Sequence, residues 1–463
     1  MGPAETLPER DLAGARLIAR MERVPFTAWH AKARMVMGSA TFFDAYNALS
    51  LAFALPILIR LWHITPTESG FLIGISYVGQ LAGALGFGWL AEKYGRVRSA
   101  SAAVAVMSVM SLACAFAGNF PALFACRLIQ GIGVGGEMPV AATYINELSR
   151  AQGRGRFFLL YEMIFPLGLM ATGQIGAWLV PLAGWQIMFI IGGVPGLLIT
   201  WAVARLPESP RWLISKGRTA EAEAILKQIE ASAKHPLSEV DQPPPAAIQA
   251  TAIQATAARP RGKWSEVLAT SYRSRTLVVW VLWACAFFVA NSLNNWMPSL
   301  YSTVYHLGLQ ASLRAASMTN VAQVLLLLVC ALFIDRVGRR VWNTAAFAAG
   351  AILLVALGAG TQSLLNVEIL ATLSYGIIGT VNAVLYLYTP EIYPTRMRAM
   401  GTAVATAWLR LASAVGPPIV GVLVQAEGVH AVFLMFAGVS VIGAFASLRM
   451  VETRGRSLEE IAR

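Results

Sequence analysis

The chain has 463 residues, of which 57% are apolar and 13% are charged, and its formal net charge is +12. Soluble domains carry about 25% charged residues, so this composition is typical of a membrane protein and excludes an ordinary soluble domain. The basic residues are dispersed along the chain rather than clustered with aromatic side chains, which argues against nucleic acid as the partner of the positive charge.

About twelve apolar stretches follow one another along the chain, and several are long enough to cross a hydrocarbon core of about 30 Å. If these spans alternate in direction, nearly all of the 36 lysines and arginines fall on one side of the membrane. The exceptions are Arg60 and Arg314, in loops on the other side, and Arg127 and Arg410, inside spans. Because this bias sets orientation, we expect both termini in the cytoplasm.

The order of the apolar stretches predicts an all-α membrane protein with twelve transmembrane helices in two bundles of six. The expected segments are a cytoplasmic N-terminus (1–35), a first bundle (36–205), a cytoplasmic loop (206–275), a second bundle (276–450) and a cytoplasmic C-terminus (451–463). Within the loop, apolar residues at helical spacing predict a surface helix over 211–231, and the Pro-, Ala- and Gln-rich stretch 236–262 predicts a flexible tether.

No pattern in the sequence is typical of a metal site or a catalytic centre. The four cysteines lie in apolar spans, without CxxC or another metal-binding spacing. No nucleophile–base set and no phosphate-binding loop is recognisable. We therefore expect no metal, no cofactor and no enzymatic activity.

A duplication relates the two halves of the chain. The stretch 88–96 (GWLAEKYGR) recurs as 331–339 (ALFIDRVGR), and Tyr144-x-x-Glu147 recurs as Tyr388-x-x-Glu391. The acid in Pro207-Glu208 likewise recurs, in Val451-Glu452. Parallel repeats of this kind place a substrate site between the two halves, near the middle of the membrane.

The two loop motifs resemble the signature of the major facilitator superfamily, over essentially the whole chain. The stretches 207–213 (PESPRWL) and 452–460 (ETRGRSLEE) are similar to the sugar-porter branch and its relatives. Those relatives include organic-ion transporters, synaptic-vesicle-glycoprotein-like proteins, and bacterial aromatic-acid and nicotinate carriers. The resemblance implies the major facilitator fold, with two pseudo-symmetric bundles, in a carrier of the bacterial inner membrane that acts as a monomer.

Ten charged residues at the loop motifs and their repeats form a candidate gate. They are Glu92, Arg96, Glu147, Arg154 and Glu208 in the first half, and Asp335, Arg339, Glu391, Arg398 and Glu452 in the second. The acids repeat together with the bases, whereas topology needs only bases. This favours ion pairs that close the cytoplasmic side over charges that only set topology. Gly88 and Gly95 are expected to allow close backbone approach and a tight turn.

Ionisable residues inside spans are costly in a bilayer and indicate functional sites. Asp44 shares one face of the first span with Asn47, and Arg127 opens the fourth span in an RxxxGxxxG motif that Glu137 follows. We predict that Asp44 carries a proton, with Arg127 as counter-charge and Glu137 as the reserve acid. A static pair that ties the first span to the fourth is the alternative. Aromatic-acid carriers have a second acid where this chain has Asn47, so Asp44 is the sole titrating group of the first span.

Arg410 lies in the eleventh span, where a permanently charged guanidinium can hold a carboxylate by two parallel bonds. In the organic-ion relatives a basic residue here accompanies anion transport, so the resemblance implies an organic anion. An ion pair between Arg410 and an acid of another helix is the alternative. Polar and aromatic stripes could contact the ring of such an anion, or could bond between helices instead. The candidates are Asn294, Trp296, Tyr375, Asn382, Tyr386 and Trp408.

The sequence therefore predicts proton-coupled import of a small organic anion, such as a nicotinate- or benzoate-like carboxylate, by alternating access. The expected partners are this anion, protons and the lipid bilayer. An exporter of drugs or metabolites, a sugar:proton symporter and a non-transporting receptor stay open. Sugar porters have a glutamine-rich pattern on the seventh span, and the corresponding stretch 291–301 contains no glutamine.

Overall fold

The computed structural model describes residues 9–148, 163–233, 264–360, 363–393 and 395–454, and none of these residues forms a β-strand. They form fifteen α-helices and a short 3-10 helix, Trp264–Leu268. The helices are α1 Glu9–Arg23, α2 Ala28–Trp62, α3 Pro66–Tyr94, α4 Arg96–Ala115, α5 Phe120–Leu148, α6 Ile164–Ala183, α7 Gln186–Ala204, α8 Pro210–Ser215, α9 Thr219–Ala231, α10 Thr270–Thr303, α11 Leu309–Val337, α12 Arg339–Gly358, α13 Leu364–Glu391, α14 Thr395–Glu427 and α15 Val429–Leu448.

Eleven of the described helices are long and apolar enough to cross a membrane. The remaining long helix, α5, has 29 residues, as α3 does, but Arg127 and Glu137 interrupt its apolar sequence. Because α5 packs against α2, α3 and α4, it lies among the spans of the first half. The predicted all-α membrane fold is confirmed.

The two halves repeat the same helix packing. In the first half α2 packs on α6, α3 on α5, and α4 on both α5 and α7. In the second half α10 packs on α14, α11 on α13, and α12 on both α13 and α15. Three helix pairs then join the halves: α2–α10, α3–α14 and α6–α11. The duplication read from the sequence is therefore also a duplication of helix contacts.

Glycines bring the backbones of α3 and α5 into direct contact. A Cβ atom added at Gly131 would lie 2.1 Å from the carbonyl oxygen of Ser76, and one added at Gly135 would lie 2.1 Å from that of Gln80. On the facing helix, a Cβ atom at Gly83 would lie 2.0 Å from a carbonyl oxygen of α5. Any side chain here would force the helices apart, so the RxxxGxxxG glycines provide the expected close approach.

The contacts between the bundles concentrate toward one end. We call the end that carries Gly95 and Gly338 the basic end, and the end that carries the turn 62–66 the opposite end. Near the opposite end, a Cβ atom at Gly70 would lie 2.4 Å from the carbonyl oxygen of Pro417, so α3 and α14 touch through their backbones. Three hydrogen bonds join the bundles on this side: Arg60 to Ser302 (2.7 Å), Thr67 to Gln425 (2.7 Å) and Asn295 to Tyr77 (3.1 Å). The opposite end is therefore closed.

At the basic end, the chain segment after the first bundle folds back against it. The predicted surface helix 211–231 is two helices, α8 and α9, because Gly217 adopts a φ of +74° between them. The terminal helix α1 packs on α9, where Arg20 forms an ion pair with Glu230 (2.6 Å). Leu17 and Leu226 are buried in the small apolar core that these helices share. The predicted tether 236–262 lies outside the described residues.

Candidate functional site

Arg410 lies where the two bundles meet. Its guanidinium Nη1 donates a weak hydrogen bond to the carbonyl of Thr406 (3.4 Å), and its Nε is buried without a hydrogen-bond partner among the described residues. The groups that interact with it electrostatically are Tyr386, on α13, and Asp44, on α2 of the other bundle. No carboxylate in the described part of the chain forms an ion pair with it. The donors of this guanidinium are thus available to a bound anion.

Three of the predicted substrate contacts lie on α14, which carries Arg410, and on α13, which packs against it. The ring of Trp408 packs on that of Trp280, with centroids 5.5 Å apart, and Tyr386 packs edge-on against Trp283 at 4.7 Å. One turn before Tyr386, Asn382 has a buried Oδ1 that accepts no hydrogen bond from the residues described. Aromatic faces and a polar atom without a protein partner are the groups that a small ring with a heteroatom requires.

The other three predicted contacts form hydrogen bonds to neighbouring helices, two of them within one network. Asn294 donates to the hydroxyl of Tyr375 (3.0 Å), and that hydroxyl donates to Gln323 (2.7 Å). Asn320 in turn donates to Asn294 (3.2 Å). Trp296 donates its indole N–H to the carbonyl of Pro417, across the α10–α14 contact (3.3 Å).

These hydrogen bonds divide the predicted substrate contacts into two groups. Asn294, Trp296 and Tyr375 are at most 6% exposed, and their side chains bond between helices in this conformation. Hydrogen bonding between helices is the alternative that the sequence leaves open for these polar and aromatic residues. The candidates that remain for direct contact with a ligand are Arg410, Asn382, Tyr386 and Trp408.

The two buried acids of the first bundle lie in one neighbourhood. Asp44 is 3% exposed and Glu137 is fully buried. The hydroxyl of Thr41 donates to Glu137 Oε1 (3.0 Å), and Oδ1 of Asp44 accepts no hydrogen bond from any described residue. Asp44 interacts electrostatically with Glu137 and with Arg410. Asp44 therefore lies within electrostatic range of a second acid of its own bundle and of one base of the other bundle.

Arg127 makes a different set of contacts. Its Nη1 donates to the backbone carbonyl of Asn47 (3.2 Å) and to Gln130 Oε1 (2.6 Å). The Asn47 side chain is also used within the bundle, because its Oδ1 accepts from Ser111 (2.8 Å) and from Gln130 (3.0 Å). These bonds tie α2 to α5. Among the described residues, Arg410 rather than Arg127 is the arginine whose charge acts on Asp44.

The charged residues at the basic end of the first bundle form a compact cluster. Arg96 forms ion pairs with Glu147 (2.9 Å) and with Glu92 (2.8 Å). The carboxylate of Glu208 accepts backbone N–H groups of Arg96 (2.9 Å) and Val97 (3.2 Å), which caps the start of α4. An acid at a helix N-terminus satisfies donors that have no partner inside the helix.

The second bundle repeats this cluster. Arg339 forms ion pairs with Asp335 (2.9 Å) and Glu391 (3.3 Å), and Glu452 caps α12 by accepting the N–H groups of Arg339 (3.0 Å) and Arg340 (3.1 Å). Each of these bonds lies within one bundle. Arg154 lies outside the described residues, as does the side chain of Arg398.

The two glycines of the first loop motif differ from each other. Gly95 adopts a φ of +110°, and a Cβ atom there would lie 2.2 Å from Glu208 Oε2. A Cβ atom at Gly88 would meet no described atom within 4 Å. The expected turn at Gly95 is confirmed, whereas the expected close approach at Gly88 is wrong for this conformation, because Gly88 faces open space.

Sequence analysis missed several residues of these networks. Gln130 had a usable signal, since it lies three residues after Arg127 on the same helix face. Tyr77 had none, because its partner Asn295 is on the other bundle. Gln323 and Asn320 were not recognised, although a polar side chain inside an apolar span indicates a partner.

Two repeated six-helix bundles, with buried charges at their interface and one closed end, define a membrane transporter of the major facilitator superfamily. The described helices are those of a multi-pass integral membrane protein. The chain belongs to the family of sugar (and other) transporters, which it matches over residues 29–463. The predicted superfamily and branch are confirmed.

Relatives of known or assigned activity fall in the expected branch. The chain is 31% identical to a niacin transporter of Acinetobacter baylyi, over 96% of this chain and 99% of the relative. It is 25% identical to a synaptic vesicle 2-related protein of Xenopus laevis, over 95% of this chain and 81% of that protein. Among solved structures it resembles the xylose transporter of E. coli in a partially occluded inward-open conformation, with a TM-score of 0.76, 20% identity, and coverage of 93% of this chain and 100% of the other.

Proposed function

We propose that the protein imports a small organic anion, an aromatic or heteroaromatic carboxylate such as a nicotinate- or benzoate-like acid, together with protons. The observation that carries this proposal is the Arg410 guanidinium at the bundle interface, with a buried Nε that no described residue bonds. A carboxylate can accept two parallel hydrogen bonds from such a group. The relative of Acinetobacter baylyi, whose name describes a niacin transporter, supports the same class of substrate.

Each part of the candidate site has a role in this proposal. Arg410 holds the carboxylate, Trp408 and Tyr386 contact the ring, and Asn382 bonds a ring heteroatom or substituent. Asp44 and Glu137 carry the proton. The clusters around Arg96 and Arg339 support the closure of the basic end, which we assign to the cytoplasm together with both termini. The bundles then rock about the fixed site in a bacterial inner membrane, and the monomer is the active unit.

A sugar is the competing substrate, because the resembling solved structure is a xylose transporter. At 20% identity that likeness carries the fold and no more. A neutral polyol would add no negative charge beside the Arg410 guanidinium, which forms no ion pair with a described carboxylate, and an unpaired charge is costly in a site of low dielectric constant. A carboxylate supplies that counter-charge.

Uptake into proteoliposomes tests the proposal. With an imposed inward proton gradient, labelled nicotinate or benzoate should accumulate, an uncoupler should abolish the accumulation, and excess unlabelled xylose should not compete. Accumulation of xylose without carboxylate uptake would contradict the proposal. Efflux of preloaded carboxylate as the only proton-driven flux would make the protein an exporter instead.

A further inference from the structure

Gln80 on α3 carries a buried amide donor that is bonded to no described residue. Gln80 is 8% exposed, and its Nε2 has no hydrogen-bond partner in the described part of the chain. A buried donor without a partner is costly, and most such groups in proteins are satisfied by another residue, by water or by a ligand. The position of Gln80 in the fold indicates which of these its amide serves.

Gln80 faces the space between the two bundles. Cβ atoms added at Gly79 and Gly74 would lie 2.2 Å and 2.6 Å from carbonyl oxygens of α5 and α14, so these glycines mark the faces of α3 that pack on those two helices. By helical spacing Gln80 lies between these faces, on the same side as Tyr77. The hydroxyl of Tyr77 accepts a hydrogen bond from Asn295 of α10 (3.1 Å), so this side of α3 faces the other bundle.

Gln80 lies at about the same depth as the Arg410 guanidinium. α3 and α14 run antiparallel, because Cβ atoms added on α3 would meet carbonyl oxygens of α14 at 2.4 Å and 2.6 Å, in the pairs Gly70–Pro417 and Gly74–Ala414. Continued along both helices, this register brings Gln80 level with residues 407 and 408. The guanidinium reaches that level, because its Nη1 donates to the carbonyl of Thr406 (3.4 Å).

The two groups complement different parts of one small molecule. The ring of an aromatic carboxylate is one bond away from the carboxylate, so a ligand held by Arg410 keeps its ring close to the depth of Gln80. A pyridine-type nitrogen in that ring is an acceptor and requires a donor such as an amide N–H₂ group. The unpartnered atom of Asn382 is an oxygen, which only accepts and does not satisfy such a nitrogen.

We propose that the Gln80 amide donates a hydrogen bond to a ring nitrogen of the substrate, and that Gln80 thereby selects nicotinate-type carboxylates over carbocyclic ones such as benzoate. The inference rests on the proposed function and narrows its substrate class. Nicotinate satisfies the Gln80 donor, whereas benzoate places a C–H group there and leaves the donor unpartnered. A site that hydrogen-bonds its substrate rejects an analogue without that group, because the buried donor is then left unpaired.

Equilibrium binding of nicotinate and benzoate to purified protein tests this role, because the two acids differ only at the ring nitrogen. The wild type should bind nicotinate about tenfold more tightly than benzoate. Gln80→Met keeps an unbranched side chain of similar length and removes the donor. It should weaken the binding of nicotinate about tenfold, bind benzoate at least as tightly as the wild type does, and so abolish the preference.

Gln323→Met is the matched control. Gln323 is also buried, at 7% exposed, but its amide oxygen accepts a hydrogen bond from the hydroxyl of Tyr375 (2.7 Å). Its replacement should change the affinity for both acids by the same factor. Equal weakening of both acids by Gln80→Met, or a wild type that binds them equally, would overturn the inference and leave carboxylate binding intact. If the wild type binds neither acid, the proposed function fails, and the inference fails with it.

Nitrogen NMR of ring-labelled nicotinate gives a readout that a purely structural role of Gln80 would not change. The ring nitrogen of bound nicotinate should have the chemical shift of a hydrogen-bonded pyridine in the wild type and in Gln323→Met. In Gln80→Met it should have the shift of a pyridine without a donor. A hydrogen-bonded shift that persists in the Gln80→Met complex would assign the donor to another residue and contradict the inference.

Discussion

Asn295 on α10 donates a hydrogen bond to the hydroxyl of Tyr77 on α3, so a buried polar bond of 3.1 Å joins the two bundles. The side chains of both residues are less than a tenth exposed. The bond lies on the closed side of the interface, where α3 and α14 also touch at Gly70 and Pro417. It must break when the opposite end opens, so it stabilises the conformation described here.

Removing this bond should shift the balance of conformations. Tyr77→Phe deletes the hydroxyl and keeps the ring, and a net hydrogen bond contributes about 1 kcal/mol, enough to change the ratio of conformers about fivefold. Distances between spin labels placed across the opposite end should show a larger open population. Thr303→Ala is the control, because that hydroxyl donates to the carbonyl of Ser299 within its own helix (2.8 Å). An equal effect of both substitutions would show that the Tyr77 bond has no special part in closure.

The two glycines of the first loop motif should differ in stability when replaced. Gly95→Ala places a Cβ at a φ of +110° and against the Glu208 carboxylate, so we expect it to lower stability by about 1–3 kcal/mol. Gly88→Ala meets open space and should leave the melting temperature of the purified protein near the wild-type value. Melting curves of the two variants compare them directly. Equal melting temperatures would mean that the cap between Glu208 and α4 does not restrict this turn.

The ion pairs at the basic end are expected to affect conformation as well as stability. Glu391→Gln removes the acid that pairs with Arg339 between α12 and α13 (3.3 Å), so we expect a several-fold change in conformer populations. Glu223→Gln is a matched control, because Glu223 pairs with Lys227 on the exposed face of α9. Spin-label distances across the basic end measure both. Populations that do not change in Glu391→Gln would count against a gating role.

Much of the fold follows from local features of the sequence. Apolar length indicates each span, and the recurrence of Glu147 as Glu391 indicates the duplication. The short separation of Glu92 and Arg96, and its repeat as Asp335 and Arg339, indicates opposite charges close together at the start of α4 and of α12. The surface helix was predicted as one piece because its apolar spacing continues past Gly217, where the positive φ breaks it.

The partners of the buried polar groups could not be predicted in the same way. Helical periodicity gives the face on which Asp44 lies, but not which helix of the other bundle meets that face. That choice depends on how the two bundles dock, which local sequence does not encode. The same reason explains why Asn294 was considered for the substrate, although its amide bonds to Tyr375.

The central claim is that the positive charge of Arg410 binds the carboxylate of the substrate. Equilibrium binding of labelled nicotinate to purified protein tests it most directly, with Arg410→Gln compared with Arg314→Gln, an exposed arginine of α11. We predict that Arg410→Gln weakens binding by about thirtyfold or more, which corresponds to the loss of about 2 kcal/mol from a desolvated charge pair, and that Arg314→Gln binds like the wild type. Wild-type affinity in a folded Arg410→Gln protein would contradict the claim.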